Sequence, residues 1–373
     1  MKDFYQIHLQ FQNFMQSKCY TVREREKLIS PIFKTTFTIS GGPDLAYKFW
    51  QGDNSLKGNH IVNQPCIRHW DIELTGDKKH LSFFNMFVAD SIDGYSRLEI
   101  VGHFFEFFTK QLKMDFTKFY ASYFGGGLIK DKQFDPDFEM KNIWLKIGIK
   151  PENIFSSTIE NPMENFVANT VEPVGGPRAE LFYDVRKDNL PVKSVEEFWQ
   201  LESQGHLLEF FTHVLYGEEI KIDEKENFIF KSMDNKAIAA GFGPQRLLRI
   251  FEHVDSIGDI TIFDSLKKCF GNISPEYHKE TVIVCDHIRG LIFLINDGIL
   301  DLSNKSHRSH KYLFRKYFTN FKNNFRKLSL DNEKQVLSDL TNKAIDLFSV
   351  LFPYFEDKRN YIVDKIEYLY YKD

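Results

Sequence analysis

HIVNQPCIRHWDIELTGDKKHLSFFNMFV, residues 60–88, is the stretch on which the fold turns. His60 to Arg68 and Leu81 to Val88 read as two strands joined by a polar loop. Arg68 closes the first run, and Lys79 and His80 open the second. Two strands with cations at both rims can clamp a polyphosphate, because the planar arginine fork holds two phosphate oxygens at once. The same pattern also suits a surface hairpin with solvated charges.

Upstream, Phe4, Ile7, Phe11, Phe14 and Met15 recur at helical spacing, and Thr35 to Ser40 reads as a strand. Downstream, Tyr95 to Lys113 reads as a helix. Phe116 to Phe124 reads as a strand stopped by Gly125, Gly126 and Gly127, and Phe138 to Ile149 as a short helix before a turn at Lys150-Pro151-Glu152. Further strands are expected at Ala179 to Val185, Leu207 to Tyr216 and Asn227 to Ser232. Few strand–helix–strand alternations occur, so the expectation is an α+β fold, a largely antiparallel sheet flanked by helices. From His278 the pattern is helical: Glu280 to Asn296, Ser309 to Lys327, Asp331 to Phe352 and Lys358 to Tyr371. The spacing predicts a first domain over 1–272 and an all-α domain over 273–373.

Composition narrows the function classes. The 373 residues are 42% hydrophobic and 27% charged, with 38 Phe and 16 Tyr, which suits a core built on Phe. A net charge of −4 excludes a globally basic nucleic-acid binder, so any basic surface is local. Cys19, Cys66, Cys269 and Cys285 are scattered without zinc spacing, so neither zinc nor a disulfide framework is expected. The opening MKDFYQIHLQFQNF has no apolar core of a signal peptide, and no apolar run approaches the ~18 residues of a membrane span. A cytoplasmic protein is the expectation.

Two further elements bear chemistry. In Ala239 to Ile250 (AAGFGPQRLLRI), Gly241 and Gly243 precede a helix whose first turn carries Arg246; glycines bring backbone close to a ligand, or simply mark a turn. Gly175 to Asp184 (GGPRAELFYD) is a rigid turn opening a strand with Glu180 and Asp184, fit for a ligand site or for an ordinary turn with exposed acids.

Taken in order, these segments resemble the catalytic domain of alanyl-tRNA synthetases, a class II family. Phe37 to Gly42 (FTISGG) is similar to that family's F-T-N-A-G-M, Cys66-Ile67-Arg68 to C-V-R, and Lys79 to Met86 (KHLSFFNM) to R-H-H-T-F-F-E-M. Gly176 to Glu180 resembles G-P-C-S-E, Glu209 to Thr212 resembles E-I-W-N, and Gly241 to Arg246 resembles G-M-G-L-E-R. Asp286 to Arg289, Asp297-Gly298 and Ser303-Asn304 are similar to D-H-I-R, D-G and S-N of the helical domain. The likeness runs in register from about residue 5 to residue 330.

The resemblance implies a six- or seven-stranded antiparallel sheet binding a bent ATP. Under it Arg68 and Arg246 are the catalytic cations, on the α- and γ-phosphates, and Lys79 or His80 stands where the family has a further γ-phosphate cation. Phe83, Gly241 and Gly243 complete the ATP site. Glu180 and Glu209 are the expected Mg²⁺ ligands, and Val167, Glu180, Thr212 and Ala239 line the amino-acid pocket. The implied reaction is ATP-dependent activation of a small amino acid, alanine by default, as an adenylate, with transfer to tRNA.

The acid pocket departs from the family pattern. The family's Asp of V-D-T-G-M-G is Ala239, its Trp of D-N-F-W is Val167, and its Asn of E-I-W-N is Thr212. The loop between Arg68 and Lys79 is about five residues shorter than the family's. From Lys305 to Lys327 lie eight Lys/Arg and no acid, interleaved with Phe314, Tyr317, Phe318, Phe321 and Phe325. Such a helix either packs its aromatics inward beneath a solvated charged face or contacts nucleic-acid phosphates. At the place of the family's tRNA-binding helices, Asn304, Arg308, Lys311, Arg315 and Lys316 are the expected contacts to an acceptor stem. With 373 residues, the expectation is a protein without the family's editing and C-terminal domains. Two alternatives accompany the tRNA ligase: a paralogue that transfers its acid to a small molecule or carrier protein, and a non-catalytic tRNA-binding relative.

Overall fold

The computed structural model describes residues 3–372 apart from 31, 33, 34, 169–172, 189, 226 and 304–306. Its strands are β1 (Thr21–Val22), β2 (Gly58–Ile67), β3 (Phe83–Ile92), β4 (Phe119–Tyr123), β5 (Gly127–Ile129), β6 (Lys132–Phe134), β7 (Ile154–Ser156), β8 (Phe166–Val167), β9 (Val174–Asp184), β10 (Leu207–Ile222) and β11 (Phe228–Phe242). The helices are α1 (Phe4–Ser17), α2 (Pro43–Trp50), α3 (Arg97–Glu106), α4 (Phe138–Ile147), α5 (Val195–Ser203), α6 (Pro244–Glu252), α7 (Asp264–Lys267), α8 (His278–Asn296), α9 (Arg308–Lys327), α10 (Glu333–Ser349), α11 (Tyr354–Asp357) and α12 (Arg359–Tyr371).

Among the described residues one sheet of nine strands runs β1-β2-β3-β11-β10-β9-β4-β7, with β8 paired to β9. The stretch from β2 to β4 is antiparallel throughout. At its edges β1 joins β2, and β7 joins β4, in parallel. The α+β architecture expected from the sequence is present, but the sheet is mixed and wider than six or seven strands.

Side-chain alternation gives the sheet two different faces. On one, Phe87, Phe242 and Phe211 lie in successive strands, and α1 and α3 cover them: Phe11 stacks on Phe87 at 5.7 Å and Phe104 meets Phe211 at 4.9 Å. This is where much of the chain's Phe is spent. The other face carries Val88, Gly241, Thr212 and Glu180 in one row, then Asp90, Ala239, Val214 and Arg178 in the next. Between β9 and β10 the backbones close so tightly that a Cβ on Gly176 would lie 1.9 Å from the Leu215 carbonyl oxygen, so this position admits only glycine.

Several local expectations change. Thr35 to Ser40 is not a strand: Thr38 donates to the Leu28 carbonyl at 2.8 Å and accepts from Ile67 N at 3.0 Å, an extended crossing without a ladder. The Phe116 run begins with a 3₁₀ turn, Phe116–Lys118, before β4. β10 and β11 form a longer hairpin than two short runs suggested, with a bulge between Tyr216 and Glu218.

The helices from His278 onward pack directly on the sheet, and one continuous core reaches from Phe4 to Tyr370. α8 is buried from Thr281 to Ile295. Its polar residues are spent on the seam. Asp286 accepts from Ser82 N and Phe83 N at 3.2 Å each and from the Ser82 hydroxyl. Arg289 donates to Asp286 at 2.9 Å and to the Phe83 carbonyl at 3.1 Å. At the far end Arg25 holds Asp297 bidentately at 2.9 and 2.6 Å. No helix among the described residues is long and apolar enough to cross a membrane.

Candidate active site

A cleft of about 410 Å³ opens on the second face of the sheet. The expected residues Arg68, Lys79, His80, Val167, Glu180, Glu209, Thr212, Ala239, Gly241, Gly243 and Arg246 all line it. β2 and β3 pair until Ile67 meets Phe83, and Arg68 N extends the ladder by donating to the Ser82 carbonyl at 3.0 Å. That fixes the root of the Arg68 side chain, whose guanidinium lies 4.8 Å from the centre of the Phe84 ring. A flat cation on an aromatic face keeps its outer edge free for an anion.

Phe83 does not reach the cleft. It is fully buried on the opposite side, 5.2 Å from Phe293 and beneath Arg289, while Phe84 lines the cleft. Adjacent residues in a strand point to opposite faces, so the aromatic that lines the cleft is Phe84 and not the expected Phe83.

Opposite Arg68, Gly243 precedes α6, and Pro244 occupies the first helical position, where its missing N–H costs nothing. The helix start points positive dipole towards the cleft. Arg246, in that first turn, donates to the Glu209 carbonyl at 3.0 Å and to the Glu209 carboxylate. Burial opposes ionisation of Glu209, but Arg246 and then Arg178 outweigh it and hold its carboxyl below the usual range. Glu180 behaves differently: burial pushes it up to about 8, although Arg178 Nε lies 3.2 Å from its Oε1. Lys79 donates to the Glu202 carboxylate at 3.0 Å and His80 Nδ1 lies 2.6 Å from Asp77, so both rim cations start out engaged by neighbours. Asp71 also faces the cleft, its carboxyl raised by burial.

Two carboxylates in one cleft, with oxygen as their only donor atom, fit Mg²⁺, which is usually held by one or two carboxylates plus substrate phosphates. No group of three or more His, Cys, Asp or Glu able to hold a metal lies among the described residues.

Beyond Glu180 the cleft becomes an apolar chamber lined by Met163, Phe166, Val167, Ala168, Val214 and Tyr216. Gly42 roofs Ala239: a Cβ on Gly42 would lie 2.5 Å from that of Ala239 and 3.1 Å from the Tyr216 ring. The sequence did not single out Arg178, Tyr216, Phe84 or Asp71. The signal for Arg178 was its place two residues before Glu180, on the same face of β9.

The expected tRNA residues lie elsewhere, on α9. Phe314, Tyr317, Phe318, Phe321 and Phe325 are buried, while Arg308 and Arg315 are exposed. Lys316 bridges to Glu73 in the loop after Arg68 at 3.1 Å, and Lys311 donates to the Leu300 carbonyl at 3.1 Å. Asn304 lies outside the described residues.

A family model described as tRNA synthetases class II (A) matches residues 6–368. An alanine–tRNA ligase of Borrelia hermsii (strain HS1 / DAH) is 26% identical over 367 residues, covering 96% of this chain and 59% of the relative. One of Elusimicrobium minutum (strain Pei191) is 29% identical over 373 residues, covering 97% of this chain and 40% of the relative. The chain thus spans about half the length of the curated relatives it matches. Among solved structures, apo histidyl-tRNA synthetase of S. aureus aligns with a TM-score of 0.37 at 14% identity, covering 66% of this chain and 64% of that one.

Proposed function

This chain belongs to the class II tRNA synthetase (A) family, and from that premise we propose that it forms an acyl-adenylate from ATP and a small acid and passes the acyl group to tRNA. The observation that supports this reading is the convergence of Arg68, Arg246, Glu180 and Glu209 in one cleft. A carboxylate oxygen of the acid attacks the α-phosphorus, the bond to the β-phosphate oxygen breaks, and pyrophosphate leaves. Negative charge grows on the α-phosphate oxygens, and Arg68, pre-set on Phe84, stabilises it. Arg246 binds the γ-phosphate once it releases Glu209. When bound, Mg²⁺ neutralises departing pyrophosphate; Glu180 and Glu209 are the residues that would hold it. In the second step an acceptor hydroxyl attacks the acyl carbon, AMP leaves, and the hydroxyl proton passes to solvent.

Residues 1–272 act in this reading as the adenylate-forming unit and 273–373 as the tRNA-recognition unit. The relatives' names make alanine the default acid. Acid-dependent ATP–pyrophosphate exchange over a panel of acids tests the proposal; exchange with none of them refutes it. The Lys316–Glu73 pair favours a second reading, transfer to a non-tRNA acceptor, because it ties up a cation of the basic face.

A further inference from the structure

A second cavity, of about 530 Å³, opens at the seam between the sheet and the helices, and among the described residues it shares no lining residue with the cleft. Small-molecule sites span roughly 300–1,000 Å³ and favour the meeting of structural units. The floor is apolar: Phe11 of α1, Ile61 and Val62 of β2, and Phe352 after α10 are all buried. On one wall His8 Nδ1 lies 3.4 Å from Asn63 Nδ2. Burial pushes the His8 imidazole down to about 4, so near pH 7 this wall offers hydrogen bonds without charge.

The other wall is braced by two ion pairs. Arg25 closes on Asp297 bidentately and donates to the Tyr354 hydroxyl at 2.6 Å. Arg23 donates twice to the buried Asp90, at 3.2 and 2.8 Å. Walls held in this way spare a ligand the cost of ordering them. With both arginines matched, the charge left at the mouth is two exposed lysines, Lys27 and Lys358, against one exposed glutamate, Glu24. Lys358 donates to the Asn296 carbonyl at 3.3 Å, a neutral partner that leaves its charge uncancelled. An apolar floor beneath a mouth with one excess positive charge complements an apolar body carrying a single anion.

Arg23 also joins this cavity to the cleft. Its Nη2 donates to the Gly41 carbonyl at 2.6 Å, and its partner Asp90 pairs across the sheet with Ala239. Gly41 and Ala239 both line the acid end of the cleft.

We propose that this cavity is a second ligand site, taking a compact apolar monoanion, and that its occupancy adjusts the acid end of the cleft through Arg23. The body of such a ligand lies on Phe11, Val62 and Phe352, and its carboxylate or sulfonate meets Lys27 and Lys358. The coupling rests on the adenylate-forming reading; the site itself does not.

The test uses anilinonaphthalene sulfonate, apolar rings with one negative charge, on the folded chain. Its fluorescence should saturate at one probe per chain and persist in saturating ATP and Mg²⁺. Replacing Lys27 and Lys358 together by Glu should raise the probe's Kd at least about 10-fold, the scale of ~1.4 kcal/mol. Both lysines are exposed, so the unfolding midpoint should stay close to the parent's. No saturable signal, displacement by ATP, or equal Kd in parent and double variant overturns the site. In pyrophosphate exchange, saturating probe should shift the KM of the acid by about threefold or more. Arg23→Lys keeps the charge but loses the fork that spans Asp90 and Gly41, so it should bind the probe and lose that shift. A KM that ignores the bound probe overturns the coupling. Exchange with no acid refutes adenylate formation and removes the coupling with it, while the probe titration still decides the site.

Discussion

Arg246 and Glu209 are bonded to each other twice, through the main-chain carbonyl and the carboxylate of Glu209. The cation assigned to the γ-phosphate is thus held in place by the carboxylate assigned to Mg²⁺. In the proposed reading a polyphosphate competes with Glu209 for Arg246, and a Glu209 so released is one of the residues that would hold Mg²⁺. Glu209→Gln keeps the carbonyl bond but loses a charge that both partners use. It should lower exchange about 10²-fold, the scale of one lost preorganised group, and raise the Mg²⁺ concentration at half-maximal rate. A Mg²⁺ titration of exchange that superimposes on the parent's removes Glu209 from the site.

Neighbouring phenylalanines separate catalysis from stability. Arg68→Ala should cut adenylate formation by roughly 10²–10³-fold. Phe84→Ala removes only the platform under Arg68, worth ~0.5–2 kcal/mol, so exchange should fall by about 2- to 30-fold with little change in unfolding. Phe83→Ala should do the opposite, costing ~3–5 kcal/mol of stability, because its ring is packed against Phe293 and Phe348. Parallel denaturation and exchange assays on the two variants check the assignment of faces.

That pair also marks what could be read from the sequence. The order of the motifs, the β2–β3 hairpin and the helices after His278 were legible because each depends on local spacing. Which of Phe83 and Phe84 faces the cleft depends on the parity of the strand, and the run FF carries no parity. The parallel edge strands β1 and β7 pair with segments more than 30 residues away, beyond any local signal. Thr35 to Ser40 alternates like a strand, but Thr38 is held by single bonds to Leu28 on one side and Ile67 on the other, contacts distant in sequence that form no ladder. Arg178 was visible as a letter; only the register that sets it beside Val214 and in line with Ala239 gives it a role.

Glu180 should leave a signature in pH. Burial raises its carboxyl from 4.5 to about 8. Between those values the folded chain binds more protons than the unfolded one, so this group's contribution to stability is complete below pH 4.5 and is lost as pH rises through about 8. Glu180→Gln stays neutral throughout. Denaturant midpoints from pH 5 to 8 should therefore fall more steeply for the parent than for the variant. Equal slopes mean that Glu180 is ionised across the range.

The seam between sheet and helices concentrates stability at Asp286. It answers Ser82 N, Phe83 N, the Ser82 hydroxyl and Arg289 in a fully buried place. Asp286→Ala strands the Arg289 charge and should cost ~3–5 kcal/mol in urea unfolding. Asp286→Asn, which keeps an acceptor, should cost less. A loss below ~1 kcal/mol for the alanine variant contradicts this account.

The acceptor is decided on α9. Its Phe stripe is turned inward, and its outer face offers a partner charge beside one ring: Arg308, Arg315 and the exposed Tyr312, with Lys316 at the edge. If that face binds tRNA phosphates, affinity should fall with salt at a log–log slope of about −0.9 per contact. Replacing Arg315 and Lys316 together by Glu should weaken binding and flatten the slope by about two contacts, while pyrophosphate exchange stays as it was. Glu73 supplies the converse variant. It pairs with Lys316 at 3.1 Å on an exposed rim where such a pair stabilises little, so Glu73→Gln should release the lysine and strengthen tRNA binding without loss of fold. Filter binding at several salt concentrations measures all three proteins. Absent or salt-insensitive binding in the parent, alongside intact exchange, assigns the activated acid to a non-tRNA acceptor.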